Sequence, residues 1–528
     1  MLTYFVIVPI LIAVFLYLFP FKKMGRIISI VTQVGLTVAT FILFLNSRNG
    51  AIVTTIGEYG LLGITLQADA LSAMFILLTA FIFLMAAIYS YSSNHSSLFW
   101  FLLFIWEASI IGIFLSGDLF NIFVLTEVGT VVVSVLILYQ RKKRSMYDGM
   151  IYLMINVFVV QFYLLGLGYI YSMAGTLDMV QVAAAFGYMD AQSQVLPYAL
   201  VMTFVGLKCA LLPLFSWLPK AHGTPGASAA VSAVLSGLHI KSGIYLFLRF
   251  QDIFTAVAVT EFFLFIGILT AFVGVVMSLA QTDIKLILAY STIAQVGLII
   301  AGFSIGDAYS YIGSLYHVVT HAVFKSALFL GAGIIMKEYG TRDITQIRGA
   351  ARRIPITSVA SGFAILGIVG MPFLGGSISK YFMMRGAGGV VMALMVLISL
   401  GTITIFVKYA MMFFGQSSES VKLNYNDWWQ LVPLIILGIL SLALGLFGER
   451  AIFFLFQAEK TIVMRGYLEK AGIFAASVVA AGLLFGYYVR DGVMLRRIGK
   501  FELGFRGMCA ALGVFFAAMV LYLLILTT

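Results

Sequence analysis

From end to end the chain is cut into apolar runs of roughly 20 residues, the length a helix needs to cross the hydrocarbon of a bilayer. Sixteen such runs can be read, at 2–20, 27–45, 71–89, 98–116, 119–138, 150–172, 196–218, 225–249, 260–280, 286–304, 309–336, 355–384, 389–414, 431–448, 470–490 and 507–526. That pattern dictates an all-α polytopic membrane protein. Charged residues make up 10% of the 528, against about a quarter in soluble domains. The connections are too short for a sizeable water-soluble domain, so redox or nucleotide chemistry must reside on other chains and no cofactor is expected on this one.

The net charge of +11 does not indicate a nucleic-acid partner, because membrane proteins concentrate Lys and Arg in cytoplasmic loops. Lys22, Lys23 and Arg26 follow the first run, and Arg141, Lys142, Lys143 and Arg144 follow the fifth. Lys337, Arg342, Arg348, Arg352 and Arg353 follow the eleventh, and Arg490, Arg496, Arg497, Lys500 and Arg506 the fifteenth. All four clusters follow odd-numbered runs, which predicts both termini outside the cytoplasmic membrane. The loop after the fourteenth run is also basic, but Glu449, Glu459 and Glu469 offset much of its charge. The first run has basic residues after it and none before, which suits a retained helix and not a cleaved signal. Asp178 to Tyr188 reads as a surface helix. The two cysteines, Cys209 and Cys509, lie in apolar runs and build neither a disulfide framework nor a thiolate cluster.

Two runs are interrupted. The seventh carries Pro213 and ends at Pro219, and the twelfth carries Pro372 followed by Gly375 and Gly376. Proline removes a backbone donor, so each break frees carbonyls that need a polar environment inside the bundle. The breaks lie five runs apart, and a unit repeated after an odd number of crossings must be inverted.

Ionisable residues sit where they are expensive, at ~2.5–3.5 kcal/mol each on lenient insertion scales. Glu107 and Glu127 lie mid-run in the fourth and fifth, Lys208 precedes the first break, and His239 and Lys241 are central in the eighth. In YHVVTHAVFKS of the eleventh, His317, His321 and Lys325 are each four apart and share one helix face; Lys380 follows the second break. For any single residue a neutralised buried pair explains the charge. The set as a whole suits proton transfer, with the imidazoles as relay steps between amines. A zinc site on the paired histidines lacks a third ligand, so no metal is expected. His222 and Lys220, in SWLPKAHG, are secondary candidates, His222 as an entry gate or a helix cap.

The segments DLFNIFVLTEVG, LKCALLPLFSWLPKAHGTPGASAAVSAVLSGLHIKSGIYLFLR, DIKLILAYSTIAQVG, YHVVTHAVFKSALFLGAG and GGSISKYF together resemble the antiporter-like subunits of complex I, of Mrp-type multi-subunit sodium/proton antiporters and of membrane-bound hydrogenases. The Mrp D-type and hydrogenase membrane-type subunits are the most similar. The resemblance implies a fourteen-helix core with two inverted five-helix repeats, each with a broken helix. Segments 1–97, 98–250, 251–414 and 415–528 would be the N-terminal helices, the two repeats and a C-terminal part with two extra helices. Glu127 and Lys208 would pair as a switch, and Glu107 resembles a fourth-helix glutamate seen in some members. Lys241, His317, His321 and Lys325 would form the central relay, and Lys380 would be its terminal lysine. Lys220 departs from the acidic residue common at its position. The expected function is movement of protons, or their exchange against sodium ions, within a complex of other membrane subunits, with or without a peripheral redox arm. The competing expectations are a self-contained solute transporter and a passive membrane anchor for such an arm.

Overall fold

The computed structural model describes residues 1–20, 22–57, 63–139, 142–416, 427–490 and 492–527; Arg141 of the basic loops lies outside them. Each of the sixteen apolar runs carries a helix. Thirteen are long and apolar enough to cross a membrane by themselves, and Tyr4–Leu18 and Pro355–Val369 are shorter apolar helices. The remaining run is the seventh, broken as the sequence suggests into Ala191–Lys208, a short 3-10 turn at Leu214–Ser216, and Trp217–Gly223. The twelfth is split into Pro355–Val369 and Gly375–Arg385. The surface helix after the sixth run is Met179–Phe186. One element departs from an all-α reading: Ile52–Ile56 and Ile64–Ala68 pair as an antiparallel hairpin. Its β-branched residues favour strands, but the surrounding apolar runs mask them in the sequence.

Aspartates start many of these helices. Asp69, Asp118, Asp178, Asp190, Asp283 and Asp307 each accept a hydrogen bond from a first-turn N–H, satisfying donors that a helix end leaves free. Two of these caps expose the internal repeat. Asp118 bridges Asp178 and Asp283 bridges Asp343. Around them the same main-chain bonds recur, Leu119 N to Leu177 O and Met179 N to Gly117 O in one, Ile284 N to Arg342 O and Ile344 N to Thr282 O in the other. Five crossings separate the two motifs, so they sit at opposite ends of the bundle.

Within the second half, Thr260–Ala280 and Ile284–Phe303 cross with almost no gap. A Cβ on Gly274 would stand 2.5 Å from the backbone nitrogen of Ala294, a distance only a backbone shift could relieve. Gly274→Val should therefore destabilise the protein by about 1–3 kcal/mol, the usual cost of overpacking. A lowered thermal midpoint of the detergent-extracted protein is the expected result.

The C-terminal helices wrap the core. Met464–Leu484 lies along Gly389–Ala410, and Phe505–Thr527 returns to pack on Ala191–Lys208. The connection between them is clamped by Glu502, which takes a forked pair of hydrogen bonds from Arg144 at 2.9 and 3.0 Å and one from Lys220 at 3.2 Å. Burial alone would push the Glu502 carboxyl up, but the Arg144 hydrogen bond and the charges of Lys220 and Arg144 outweigh it and hold the group below its usual range.

Candidate ion path

The two breaks shape the path. Between Lys208 and Leu214 the chain unwinds, with Ala210 in the left-handed region at φ 51°. Beside the break the carbonyl of Leu207 accepts the Trp217 indole N–H at 2.7 Å as well as the Ala210 N–H at 2.9 Å. At the second break Gly370 and Phe373 take φ values of 84° and 68°. Here the freed carbonyls of Ile368 and Val369 accept the Lys380 amine at 2.9 and 3.4 Å. The lysine thus caps the end of the half-helix it follows, as a cation favours a helix C-terminus.

Along the eighth span, which runs Ala229–Val234, Leu235–His239 and Ile240–Ile253, the middle segment is a single π turn. It aims His239 toward the first half of the protein and Lys241 toward the second. His239 Nδ1 accepts the Trp106 indole N–H at 3.3 Å, so a neutral His239 carries its proton on Nε2, 3.1 Å from the Tyr152 hydroxyl. One helical turn along from Tyr152, the Asn156 carbonyl oxygen accepts the Lys208 amine at 2.8 Å, and Thr130 Oγ1 accepts it at 3.2 Å. These contacts form two hydrogen-bonded groups one helical turn apart at the first break, Trp106–His239–Tyr152 and Thr130–Lys208–Asn156.

Lys241 donates to the carbonyl of Ser236 at 2.7 Å and to Nδ1 of His321 at 2.5 Å. With Nδ1 accepting, the His321 proton sits on Nε2, an atom with no protein partner. Four residues on, Lys325 donates to the carbonyl of Leu288 at 2.9 Å and to the Ser291 hydroxyl. In the other direction the His317 ring lies 6.2 Å from that of His321. Its Nδ1 is 2.8 Å from Ser379 Oγ and its Nε2 is 3.0 Å from Gln295 Oε1. Ser379 immediately precedes Lys380, so the row reaches the second break.

Lys208, His239, Lys241, His317, His321, Lys325 and Lys380 are all at most 8% exposed. The charge of Lys208 acts on His239, that of Lys241 on His321 and His317, and that of Lys380 on His317. The row therefore consists of two electrostatically connected groups, Lys208 with His239 and Lys241 with His321, Lys325, His317 and Lys380, which meet at the eighth span that carries both His239 and Lys241.

Other sequence candidates fall elsewhere. Glu127 is half-buried, and its charge acts on Lys208. No ion pair between them closes in this structure, and Glu127 Oε1 has no hydrogen-bond partner. Glu107 is buried against the second span, where the Gln33 amide donates to it. Lys220 stands outside the row, in the clamp with Glu502. His222 stacks on Phe329 with ring centroids 4.6 Å apart, and neither of its nitrogens has a hydrogen-bond partner.

Sequence reading missed Lys285, which is 3% exposed and donates to the carbonyl of Ala227 at 2.6 Å and to Ser232 Oγ at 3.2 Å. Only two residues from its capping aspartate, it looks like a surface lysine. Neutral partners such as Gln295, Tyr152 and Asn156 were equally silent, because an uncharged polar residue in an apolar helix carries little signal alone.

Residues 116–407 match the NADH:quinone oxidoreductase/Mrp antiporter transmembrane family. The D-type subunit of the Na+/H+ antiporter of Alkalihalophilus pseudofirmus is 29% identical over 462 residues, 84% of this chain and 93% of that protein. The N-type subunit of the NADH-quinone oxidoreductase of Desulforudis audaxviator is 32% identical, covering 74% of this chain and 83% of that one. Among solved structures, a chain of the Mrp complex from Dietzia sp. superposes with a TM-score of 0.80 at 22% identity, covering 90% of this chain and 99% of that one. A chain of the membrane-bound sulfane sulfur reductase, an archaeal respiratory complex, gives 0.79 at 21% identity, with 91% and 99% covered. At those identities the likeness is one of fold. The family match spans more than half of the residues and the row of buried amines and imidazoles, and the chain belongs to the NADH:quinone oxidoreductase/Mrp antiporter transmembrane family.

Proposed function

We propose that this chain is a proton-translocating member of a multi-subunit complex in the cell membrane, carrying protons, or protons exchanged against sodium ions, along the buried row from Lys208 to Lys380. The observation that carries the reading is the Lys241–His321 hydrogen bond, a titratable link between a helix of the first half and one of the second. A passive anchor has no need of such a link, and its buried charges would be a pure cost. The relatives named as subunits support an assembled state. On the fifth span Phe120, Val124, Val128 and Val131 expose an apolar stripe beside Glu127. A neighbouring subunit on that stripe would set the distance between Glu127 and Lys208. The odd-numbered basic loops support termini on the outer face.

The test is to read internal pH by dye in vesicles carrying the complex, while electron donor or sodium is supplied in turn. Donor-driven acidification identifies a redox-coupled pump, and sodium-induced pH change an exchanger. If neither treatment moves protons in well-coupled vesicles containing the intact complex, the proposal fails. His321→Ala should bring either signal to background, because it removes the imidazole that faces Lys241.

A further inference from the structure

A cavity of about 480 Å³ lies between the second half of the broken twelfth span, the thirteenth span and the C-terminal helix Met464–Leu484. Most of its wall is apolar, formed by residues such as Met384, Val396, Ile403, Ile473 and Phe474. Its polar end is cationic: Lys380, Lys470 and Arg385 all line it. Lys380 is buried, Lys470 half-buried and Arg385 exposed at the mouth, and the partners of all three are neutral. Lys380 is bound by the carbonyls of Ile368 and Val369, and Lys470 donates to the carbonyl of Lys380 at 2.5 Å. Arg385 lies 4.1 Å over the Tyr309 ring and reaches the carbonyl of Thr461. Among the described residues none of the three forms an ion pair. The one acid on the wall, Glu469, pairs instead with Arg465.

A cluster of cations without a counter-charge, facing an apolar wall, calls for an anion with a hydrocarbon body. Depth along the bundle points the same way. Lys380 is five residues from the end of Gly375–Arg385 and Lys470 six from the start of Met464–Leu484, about 8–9 Å inward at 1.5 Å per residue. Those two helix ends meet where Arg385 touches Thr461, so the cationic end lies near one membrane surface and the apolar wall runs inward from it. Met464–Leu484 is among the most exposed of the crossing helices, with 6% of its most apolar stretch buried, which leaves the cavity's outer side toward the bilayer.

We propose that this cavity is a binding site for an anionic phospholipid, its phosphate held by Lys470 and Arg385 within reach of Lys380, and one acyl chain lying along the thirteenth and fifteenth spans. The site is independent of whether Lys380 carries protons, since it rests on the cavity and its unpaired cations. Bound phosphate would place a fixed negative charge beside Lys380, so lipid composition would bias the terminal lysine of the row.

The experiment uses the intact complex, extracted gently and analysed by native mass spectrometry, then delipidated and titrated with phosphatidylglycerol or phosphatidylcholine while thermal stability is followed. The expected result is retained anionic lipid and a stabilisation by phosphatidylglycerol at least several-fold larger than by phosphatidylcholine. The double variant Lys470→Gln/Arg385→Gln should abolish that preference while the complex remains assembled. A second variant, Ile473→Trp, fills the apolar wall without touching a charge and should also expel the lipid. Equal response to both lipids, or a preference unchanged in both variants, overturns the proposal. Because these readouts are of binding, they succeed or fail independently of the transport measurements.

Discussion

Lys208→Ala in the assembled complex should reduce coupled ion movement by at least about 10²-fold, the lower range for losing a group that gives and takes a proton, with the complement of partner chains unchanged. Lys208 is held by two neutral acceptors, Thr130 and Asn156, while Glu127 stands near enough to act on its charge but too far to pair with it. Two unit charges at 4 Å with an effective dielectric of 20 interact by about 4 kcal/mol. Closing or opening the Glu127 gap therefore shifts the protonation equilibrium of the amine by up to about a thousandfold, enough to switch it between holding a proton and passing it to His239. Glu127→Gln, which keeps the shape and removes the charge, should cause a comparable loss. The decisive variant is Lys208→Arg. A guanidinium preserves the positive charge and the hydrogen bonds but does not deprotonate, so a structural role would be rescued and a proton-exchange role would not. Near-normal flux in Lys208→Arg would refute the switch.

The sequence made the scaffold legible because lipid imposes a length on each helix and a high cost on each charge. The apolar helices, both breaks and the seven buried amines and imidazoles of the row were readable for that reason. The Ile52–Ile56 and Ile64–Ala68 hairpin was not, since it lies outside the hydrocarbon rules. Nor was the direction in which side chains turn. Glu107 and Glu127 lie on consecutive spans, but Glu107 faces Gln33 on the second span, a residue with no distinguishing pattern. Lys220 is seven residues from the first break and a natural candidate for the path, but its partner is Glu502, nearly three hundred positions away. Such pairings depend on how distant spans return to the core, which hydropathy does not encode. Lys285 escapes notice for a related reason: nearness to a helix end suggests snorkelling, whereas the loop at Ala227 folds over it and buries it.

Lys241→Met should separate stability from transport. The amine is fully buried with one carbonyl and one imidazole as partners. Replacing a buried charge with an apolar side chain of similar volume is often neutral or stabilising by about 1–4 kcal/mol. Against this, the Ser236 carbonyl and His321 Nδ1 lose their donor, at about 1–3 kcal/mol for each group left unsatisfied. The two effects are of similar size, so the thermal midpoint of the complex should change little. Transport behaves differently. Methionine removes the titratable group that joins His321 to the first half of the protein, and the two groups on either side of it cannot exchange a proton through a thioether. Ion flux should fall to the level of empty vesicles in a complex as stable as the parent. A stable Lys241→Met complex that still moves protons would mean the row is inherited architecture and the chain an anchor. A complex that loses flux only because it falls apart would show Lys241 to be a structural strut. Loss of flux with stability retained is the outcome that only a working path through Lys241 and His321 produces.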